Sequence, residues 1–322
     1  SKEKRFSIKI PSGYWFDLYW LVSSFPFLKR AADLTSLRGN AAGPDRMTHY
    51  LLFQCPDWTD SVLRDLKTAL RNGTYMPGTL KAVTVQMGDK LRTLHVPNLI
   101  DRVVERSVAL IITPIFEFYF HPWSFGFRPG ISLCHALRQA IDLCSSRNWY
   151  VLGKVDLKDA FDKIPHNRLM DIVKMRVPDE RLVALIEKIV KRPSCSNKSE
   201  KMNVGLPQGG ALSPLLFNIY MNHVLDQVLR KTPDVVFIRW ADDILLICNS
   251  REQLQEHRGL VEQVLQGAGL MVNHKKTYHA ESTADLRTGE SIEYLGLSVA
   301  LNTKGEVELD LTVDACARLF TQ

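Results

Sequence analysis

Three aspartates in the middle of the chain are the residues whose types and positions could do chemistry. Asp156 ends one apolar run, and Asp242 and Asp243 lie between two others, 235–240 and 244–248. Adjacent aspartates suit a plain turn, but strands disfavour Asp and neighbouring negative charges repel each other. Three converging carboxylates would need cations, and hard oxygen ligands select Mg²⁺, with Mn²⁺ as a substitute. Two such ions serve nucleotidyl transfer, although phosphatases and nucleases use them as well.

The elements that must position these acids are predicted to be strands. Residues 150–157 (YVLGKVDL) predict a buried strand that delivers Asp156 at its end. The apolar runs 235–240 and 244–248 predict a hairpin that carries the two adjacent aspartates at its tip. The three carboxylates converge if this hairpin lies beside the earlier strand.

The remaining periodic segments predict mainly helices and one further hairpin. Apolar residues recur at spacings of three and four, and Ser213 and Pro214 suit the start of a helix. The predicted helices cover about 57–70, 97–118, 179–191 and 215–229, with another from about 167, and the predicted hairpin pairs 79–85 with 91–96 across Gly88-Asp89. No repeat or long linker marks independent domains, so we expect interleaved lobes.

The composition is that of a folded protein, with 322 residues, 45% hydrophobic and 24% charged, and a formal net charge of +6. The length allows about two domains, and the mild positive charge fits a polyanionic partner without requiring one. Six cysteines without a CxxC pair predict reduced, mostly buried thiols in a cytoplasmic protein and no zinc site. The apolar stretch 13–28 is too short to cross a bilayer, so we expect its aromatic side chains to pack against the protein and no membrane partner.

Three segments resemble motifs A, B and C of reverse transcriptases, in the same order and at suitable spacing. They are 153–162 (GKVDLKDAFD), 205–214 (GLPQGGALSP) and 239–243 (RWADD). Segments that resemble the bacterial group II intron-like branch are 42–48 (AGPDRMT), 92–97 (RTLHVP), 114–117 (PIFE) and 124–130 (SFGFRPG), and 273–276 (NHKK) and 294–297 (YLGL) resemble motifs D and E. The resemblance covers roughly residues 35–300.

The resemblance implies an α+β right-hand polymerase fold with fingers and an α/β palm, and a thumb that is largely missing. The implied division is an N-terminal extension at 1–40, fingers at 41–145 with a contribution from 165–205, a palm at 146–300 and the start of a thumb at 301–322. The palm motifs A to D lie around 150–165, 205–230, 235–248 and 270–280. We expect a truncated chain, a partner chain that completes the thumb, or a specialised enzyme.

The resemblance also implies the metal-binding residues. Asp156, Asp242 and Asp243 correspond to the catalytic carboxylates that hold two Mg²⁺ ions. The backbone carbonyl of Leu157 corresponds to an additional metal ligand. Trp240 stands where motif C usually carries Tyr, so an aromatic side chain is kept beside the primer while the phenol hydroxyl is lost.

Nucleotide-binding roles are implied for Arg92, Asp159, Ala160, Phe161, Gln208 and Lys276. Phe161 would exclude a 2′-hydroxyl, Arg92 would clamp the phosphates, and Lys276 would protonate the leaving pyrophosphate. A core phenylalanine, a surface arginine and a solvated lysine are the plain alternatives. The lysine expected before the clamp arginine is replaced by Gln86, with Lys90 as a possible substitute, and Arg128 corresponds to a template-side position.

The implied function is RNA-templated DNA synthesis from dNTPs, with an RNA template, a DNA primer or product and a dedicated structured RNA as candidate partners. An alternative with the same active site is template-independent or protein-primed DNA synthesis in a phage-defence system. A non-catalytic RNA-binding or splicing-assistance module is a third reading, against which the retention of all three carboxylates argues. Intron mobility, retron-like antiviral defence and a CRISPR-associated role all fit the motifs.

Overall fold

The computed structural model describes residues 17–36, 41–87, 90–193 and 203–311. Its α-helices are α1 (Leu18–Val22), α2 (Phe25–Ser36), α3 (His49–Phe53), α4 (Pro56–Arg71), α5 (Leu99–Glu117), α6 (Leu133–Arg147), α7 (His166–Lys174), α8 (Glu180–Val190), α9 (Ser213–Met221), α10 (Gln227–Leu229), α11 (Arg251–Gly267) and α12 (His274–Thr277). Its strands are β1 (Lys81–Met87), β2 (Lys90–Val96), β3 (Val151–Val155), β4 (Val236–Trp240), β5 (Asp243–Cys248), β6 (Thr283–Asp285), β7 (Ile292–Tyr294), β8 (Leu297–Leu301) and β9 (Val307–Leu311). The mixture confirms the predicted α+β class.

The predicted elements are present, with ends that differ by no more than two residues. Helix α4 begins with Pro56 in its first turn and ends at Arg71, just before Asn72-Gly73. Strands β1 and β2 form the predicted antiparallel hairpin, whose turn at Gly88-Asp89 lies outside the described residues. The elements that were not predicted are α1, α2, α3, α6, α11, α12 and strands β6 to β9.

Helix α5 is the centre of the helical region. Its buried face includes Val104, Val108 and Ile112, and helices α1 and α2 pack against it. Ser107 Oγ of α5 donates to the carbonyl oxygen of Val22 in α1 at 2.7 Å. The Tyr19 hydroxyl of α1 donates to the carbonyl oxygen of Leu70 in α4 at 2.6 Å, which joins α1 to α4 as well. The expected packing of the N-terminal aromatic side chains is confirmed for Tyr19, Phe25 and Phe27, whereas Trp20 is exposed. Residues 1–16 and 37–40 lie outside the description.

A four-stranded antiparallel sheet in the order β4-β5-β3-β6 lies within residues 146–300, the segment predicted to form the palm. Side chains alternate between its two faces, and both faces are buried, which explains why the strands read as continuous apolar runs. One face, with Val155 and Leu246, joins the core that contains α7, α8, α9 and α11. The other, with Leu152 and Leu245, joins a second core with α6 and the sheet β7-β8-β9.

The last described residues do not leave the body of the protein. Strand β9 pairs antiparallel with β8, with Val299 opposite Leu309. Of the segment expected to begin the thumb at 301–322, residues 301–311 therefore belong to the β7-β8-β9 sheet. Residues 312–322 lie outside the described part of the chain.

Two sequence expectations concern the surface. Across the described ranges, no helix combines the length and the apolar character needed to cross a membrane. Cys144 and Cys248 are buried as predicted, but Cys55 and Cys134 are exposed, so the expectation of mostly buried thiols is only half met among the described cysteines.

Candidate active site

The strand that ends at Asp156 and the hairpin that carries Asp242 and Asp243 are neighbours in one sheet. Strand β3 pairs with β5 in antiparallel register, with Val155 opposite Ile244. Asp156 directly follows Val155 and Asp243 directly precedes Ile244, so these two aspartates lie side by side at one edge of the sheet. The predicted side-by-side placement of these strand ends is therefore confirmed.

A tight turn presents Asp242 at the tip of the hairpin. Trp240 pairs with Asp243, which leaves Ala241 and Asp242 as the two connecting residues. Ala241 has a φ of 57°, in the left-handed region that non-glycine residues adopt only when their surroundings hold them there. The contacts beneath the turn supply that constraint.

Arg239, which is fully buried in β4, holds the turn from below. Its Nη1 donates to the carbonyl oxygen of Ala241 at 2.9 Å and to Oδ1 of Asn218 at 3.0 Å. Its Nε and Nη2 donate to the two carboxylate oxygens of Asp226 at 2.8 and 2.6 Å. Both partners of this bidentate ion pair are 0% exposed, so the bonds form in a low-dielectric interior. A buried polar network thus fixes the backbone that carries the two adjacent aspartates.

A π-helical turn, Asn222–Asp226, precedes α10 and supplies the carboxylate of this network. The N–H of Gln227 bonds to the carbonyl oxygen of Asn222, five residues earlier instead of four. Such single π-helical turns occur frequently at functional sites.

Residues 123–126 close the open side of β4 next to the turn. The N–H of Phe125 donates to the carbonyl oxygen of Arg239, and the N–H of Arg239 donates to that of Trp123, both at 2.9 Å. A Cβ atom on Gly126 would lie 2.4 Å from the backbone nitrogen of Ala241. Glycine is required here because the two backbones touch.

The segment after α11 reaches Asp156 from the other side. The N–H of Asn273 donates to the carbonyl oxygen of Asp156 at 2.7 Å, and the N–H of Asp156 donates to Oγ1 of Thr277 at 3.0 Å. The ammonium of Lys276 donates to Oδ2 of Asp156 at 2.7 Å. The structure therefore brings the motif D-like lysine to the carboxylates.

The carboxylates influence one another electrostatically. Although Asp243 reaches solvent, desolvation of its carboxyl group and the charges of Asp242 and Asp156 raise the pKa of Asp243 to about 6. Lys276 and Lys154 act in the opposite direction. Oδ1 of Asp156 is buried and has no hydrogen-bond partner among the described residues.

This donor set fits a hard divalent cation. An unpartnered carboxylate oxygen and a carboxyl group repelled by two others are both stabilised by added positive charge. The expected convergence is nevertheless incomplete, since no three His, Cys, Asp or Glu side chains within the described ranges form a ready-made metal site. One carboxylate oxygen, Oδ2 of Asp156, is instead occupied by the ammonium of Lys276 at 2.7 Å. The backbone of Leu157 forms a bridge with Val272, and its role as a metal ligand stays a prediction.

Phe161 belongs to an aromatic cluster beside the acids. Its ring stacks on Phe217 at 4.3 Å and meets the edge of Phe127 at 6.0 Å. Phe161 is only half-buried, so it is part of the core and also lines the surface. Asp159 is exposed with a φ of 48°, and Ala160 is buried at the start of the following 3₁₀ turn.

The loop that resembles motif B is tied to the β1-β2 hairpin. The N–H of His95 donates to the carbonyl oxygen of Gln208 at 2.7 Å, and Gln208 Nε2 donates to Oδ1 of Asp162 at 3.3 Å. Gly209, at φ 120°, leaves room for this approach. Arg92 lies in β2 opposite Val85, and its side chain is outside the description.

A second buried ion pair supports the same loop. Glu105 and Arg192, each 1% exposed, form a salt bridge, and Oε2 of Glu105 accepts from the N–H of Leu212 at 3.2 Å. A Cβ atom on Gly210 would lie 2.9 Å from that oxygen. The loop is therefore fastened from inside the helical core.

The two predicted template or primer residues are placed differently. Arg128 donates through Nε and Nη2 to Glu117 and through Nη1 to the carbonyl oxygens of His121 and Ser124. Its guanidinium therefore orders its own loop, and a template contact stays a prediction. Trp240 is half-buried at the end of β4, directly before the turn.

Sequence reasoning missed the buried polar residues that support the site, namely Glu105, Arg192, Asn218, Asp226, Arg239 and Thr277. The available signal was a charged residue inside an apolar run, such as Arg239 in VVFIRW. Charged side chains are rarely buried unless they are paired, so such a residue indicates a hidden partner.

Residues 84–299 match the model of the family described as reverse transcriptase (RNA-dependent DNA polymerase). The chain is 32% identical over 256 residues to Protein YkfC of Escherichia coli strain K12, which covers 67% of this chain and 66% of that protein. It is also 32% identical over 173 residues to the group II intron-encoded protein LtrA of Lactococcus lactis subsp. cremoris, covering 53% of this chain and 28% of LtrA. The chain thus spans less than two thirds of the length of these curated relatives.

Among solved structures, apo telomerase from Candida tropicalis superposes with a TM-score of 0.51 at 15% identity, covering 72% of this chain and 48% of that one. This likeness concerns the fold alone. The family model covers more than half of the chain, including β3, the β4-β5 hairpin and the loop between them that contacts His95. This chain accordingly belongs to the reverse transcriptase family.

Proposed function

We propose that this chain is the catalytic part of an RNA-directed DNA polymerase that uses two divalent cations. The observation that carries the proposal is the placement of Asp156 and Asp243 side by side, with Asp242 on a turn held in a strained conformation. The raised pKa of Asp243 and the unpartnered Oδ1 of Asp156 support it, because both indicate negative charge that added cations would offset.

Asp156, Asp242, Asp243 and the carbonyl of Leu157 would hold the two Mg²⁺ ions. When bound, these ions supply activation of the primer 3′-hydroxyl and stabilisation of the leaving phosphate. Arg239 keeps the two adjacent aspartates in place through the turn backbone. Lys276, which already lies at the carboxylates, is positioned to donate a proton toward the leaving group.

The nucleotide is proposed to lie between the motif A-like and motif B-like segments. Phe161 would meet the sugar, since it is half-buried and supported from behind by Phe217. Gln208 would lie beside the nucleotide, and Arg92 on the connected hairpin would bind the triphosphate. The backbone at Asp159 and Ala160 would complete this pocket.

The lobes follow from the same proposal. We assign residues 41–145 and 165–205 to the fingers and 146–300 to the palm, and residues 301–311 continue the β7-β8-β9 sheet that packs on the palm. Template and primer would bind mainly through phosphates, so binding should weaken as salt increases. Arg128 and Trp240 are the proposed template and primer contacts.

The test is dNTP incorporation with Mg²⁺ on a primed RNA template and without template, followed by sequencing of the product. The double variant Asp242→Ala, Asp243→Ala is expected to lose incorporation, and Asp65→Ala, an exposed acid on α4, is the matched control. Product that copies the template supports the proposal. Untemplated product would favour template-independent synthesis, as in a phage-defence system, and equal activity of wild type and double variant would exclude catalysis at these acids.

A further inference from the structure

A cavity of about 580 Å³ lies between helix α11 and the segment 278–291. The lining residues that matter here are Arg251, Gln255, Arg258, Tyr278, His279 and Glu290. None of the lining residues belongs to the proposed active site. The volume is within the range that holds small ligands.

Arg258 is the buried charge in this cavity, with 4% exposure. Its Nη2 donates to the carbonyl oxygens of Lys154 and Ser282 at 3.1 and 2.9 Å, whereas its Nε is buried without a hydrogen-bond partner in the described part of the chain. The ionisable neighbours that influence it are the Tyr278 hydroxyl and the Cys248 thiol. Burial raises the pKa of Cys248 to about 12, so no negative charge arises there near pH 7.

The carboxylates that line the cavity are committed elsewhere or lie at its edge. Glu290 accepts two hydrogen bonds from Arg251, at 2.8 and 2.6 Å, and one from the N–H of Asp285 at 2.7 Å. The Glu281 side chain is 89% exposed. Among the residues that the structure describes, Arg258 is thus a buried guanidinium without a matching carboxylate, an arrangement that is costly unless an anion is supplied.

We propose that this cavity binds a small ligand through a phosphate group that pairs with Arg258. A guanidinium forms charge-assisted hydrogen bonds with phosphate oxygens through a rigid fork of donors, and Arg258 is the buried guanidinium that lines this cavity. The ring of Tyr278 lies 5.5 Å from the guanidinium carbon and closes one side of this site.

The contacts of Arg258 lead from the cavity to Asp156. Lys154, whose carbonyl accepts from Arg258, lies in β3 two residues before Asp156, which directly follows the strand. Ser282 Oγ donates to the carbonyl oxygen of Thr277 at 2.5 Å, and Thr277 Oγ1 accepts the N–H of Asp156 at 3.0 Å. A ligand that changes the position of Arg258 would therefore affect Asp156 through two contacts, one with the backbone of Lys154 and one through Ser282 and Thr277. The cavity would thereby act as a regulatory site.

The binding test is titration calorimetry of the full chain with inorganic phosphate, at constant ionic strength and with EDTA. Gln255→Glu places a carboxylate on the cavity wall, three residues before Arg258 on α11, where it competes with phosphate for the guanidinium. We expect saturable binding that Gln255→Glu and Arg258→Gln each weaken about tenfold, the equivalent of one charge-assisted hydrogen bond. The matched control is Gln263→Glu, the same change at an exposed position of α11 that does not line the cavity.

Equal affinity of wild type and Gln255→Glu, or no saturable phosphate binding, would overturn the proposal. Citrate that binds while phosphate does not would overturn the assignment to phosphate. The regulatory part is tested by dNTP incorporation across a phosphate titration. Phosphate should change the rate of wild type and Gln263→Glu at the same concentration, and Gln255→Glu should need about tenfold more phosphate for the same change. An unchanged rate in phosphate-bound wild type would overturn that part, and the binding result stands even if no polymerase activity is found.

Discussion

Two ion pairs flank the aspartates of the proposed active site, and they differ in how firmly each one holds. Arg239 and Asp226 are both 0% exposed and share two hydrogen bonds, while Arg239 also bonds the turn itself. The side chains of Lys276 and Asp156 are 49% and 24% exposed and share one bond. The buried pair fixes backbone geometry on the Asp242 side, and the exposed pair leaves charge on the Asp156 side exchangeable.

This difference separates two requirements of a site that must admit cations and substrates. Geometry has to be constant, so it rests on bonds that water cannot replace. Charge has to be variable, so it rests on an ammonium that solvent can release at little cost. Each of the following predictions breaks one side of this comparison.

The largest effect is expected from Asp226→Ala. Removing this carboxylate leaves Arg239 charged and unpaired in the interior, which should lower the free energy of unfolding by about 3–5 kcal/mol. Urea unfolding measures the loss, with Asp65→Ala on the exposed face of α4 as the matched control. A loss below about 1 kcal/mol, as for an exposed ion pair, would show that the buried network does not hold the turn.

Gly126→Ala should act on the turn with a smaller loss of stability. Its new methyl group would lie 2.4 Å from the nitrogen of Ala241, so the turn must shift, at about 1–3 kcal/mol. We expect the rate of dNTP incorporation to fall even at a temperature where the variant is fully folded, so that a loss of folded protein does not account for the decrease. Gly259→Ala, which meets no atom within 4 Å, is the control, and equal activities of the two variants would contradict the argument.

Asp243→Asn should stabilise the protein in a pH-dependent way. The pKa of Asp243 is raised from 3.8 to about 6 in the folded state, so its ionisation opposes folding. The protonated Asp243 therefore contributes its full stability below pH 3.8, and this contribution to the free energy of unfolding is lost as the pH rises to about 6. Above that pH the loss stays constant. We expect a higher Tm for Asp243→Asn than for wild type at pH 7 and equal Tm values below pH 3.8. The same Tm difference at both pH values would contradict a raised pKa of Asp243.

Lys276→Gln should have the smallest effect on stability, about 1 kcal/mol or less, because the pair is exposed. The informative measurement is the Mg²⁺ concentration that gives half-maximal dNTP incorporation. Removing the ammonium from Oδ2 of Asp156 should lower that concentration even if the maximal rate falls. Lys275→Gln is the control, and an unchanged Mg²⁺ requirement would show that Lys276 does not compete for this oxygen.

The sequence predicted those elements that depend on the pattern of apolar and turn residues within one short segment. Helix α4, the β1-β2 hairpin and the strands that end at Asp156 and Asp243 all follow from spacing and turn residues, and the motifs located the acids. Helix α11 was missed because charged and polar residues obscure its narrow buried stripe of Leu254, Val261 and Leu265. Local pattern also does not say which distant segment a strand end will meet.

The supports of the site could not be predicted because they join residues far apart in the chain. Thr277 bonds Asp156 across 121 positions, and Glu105 bonds the N–H of Leu212 across 107. The pairing of Lys276 with Asp156 is of the same kind, because the motif resemblance implies a role for each residue without indicating that they touch. Such contacts depend on packing, which no window of residues encodes.

The π-helical turn at Asn222–Asp226 has a consequence for the numbering of related chains. Its i to i−5 bond accommodates one residue more than an α-helix of the same rise, so a chain that lacks the turn is one residue shorter here. Deleting one residue between 222 and 226 would restore a regular α-helix. The side chains of α9 would then be rotated about the helix axis by about 100° relative to those of α10. A single gap at this place in an alignment would therefore mark relatives that must anchor the β4-β5 hairpin by contacts other than the one between Asp226 and Arg239.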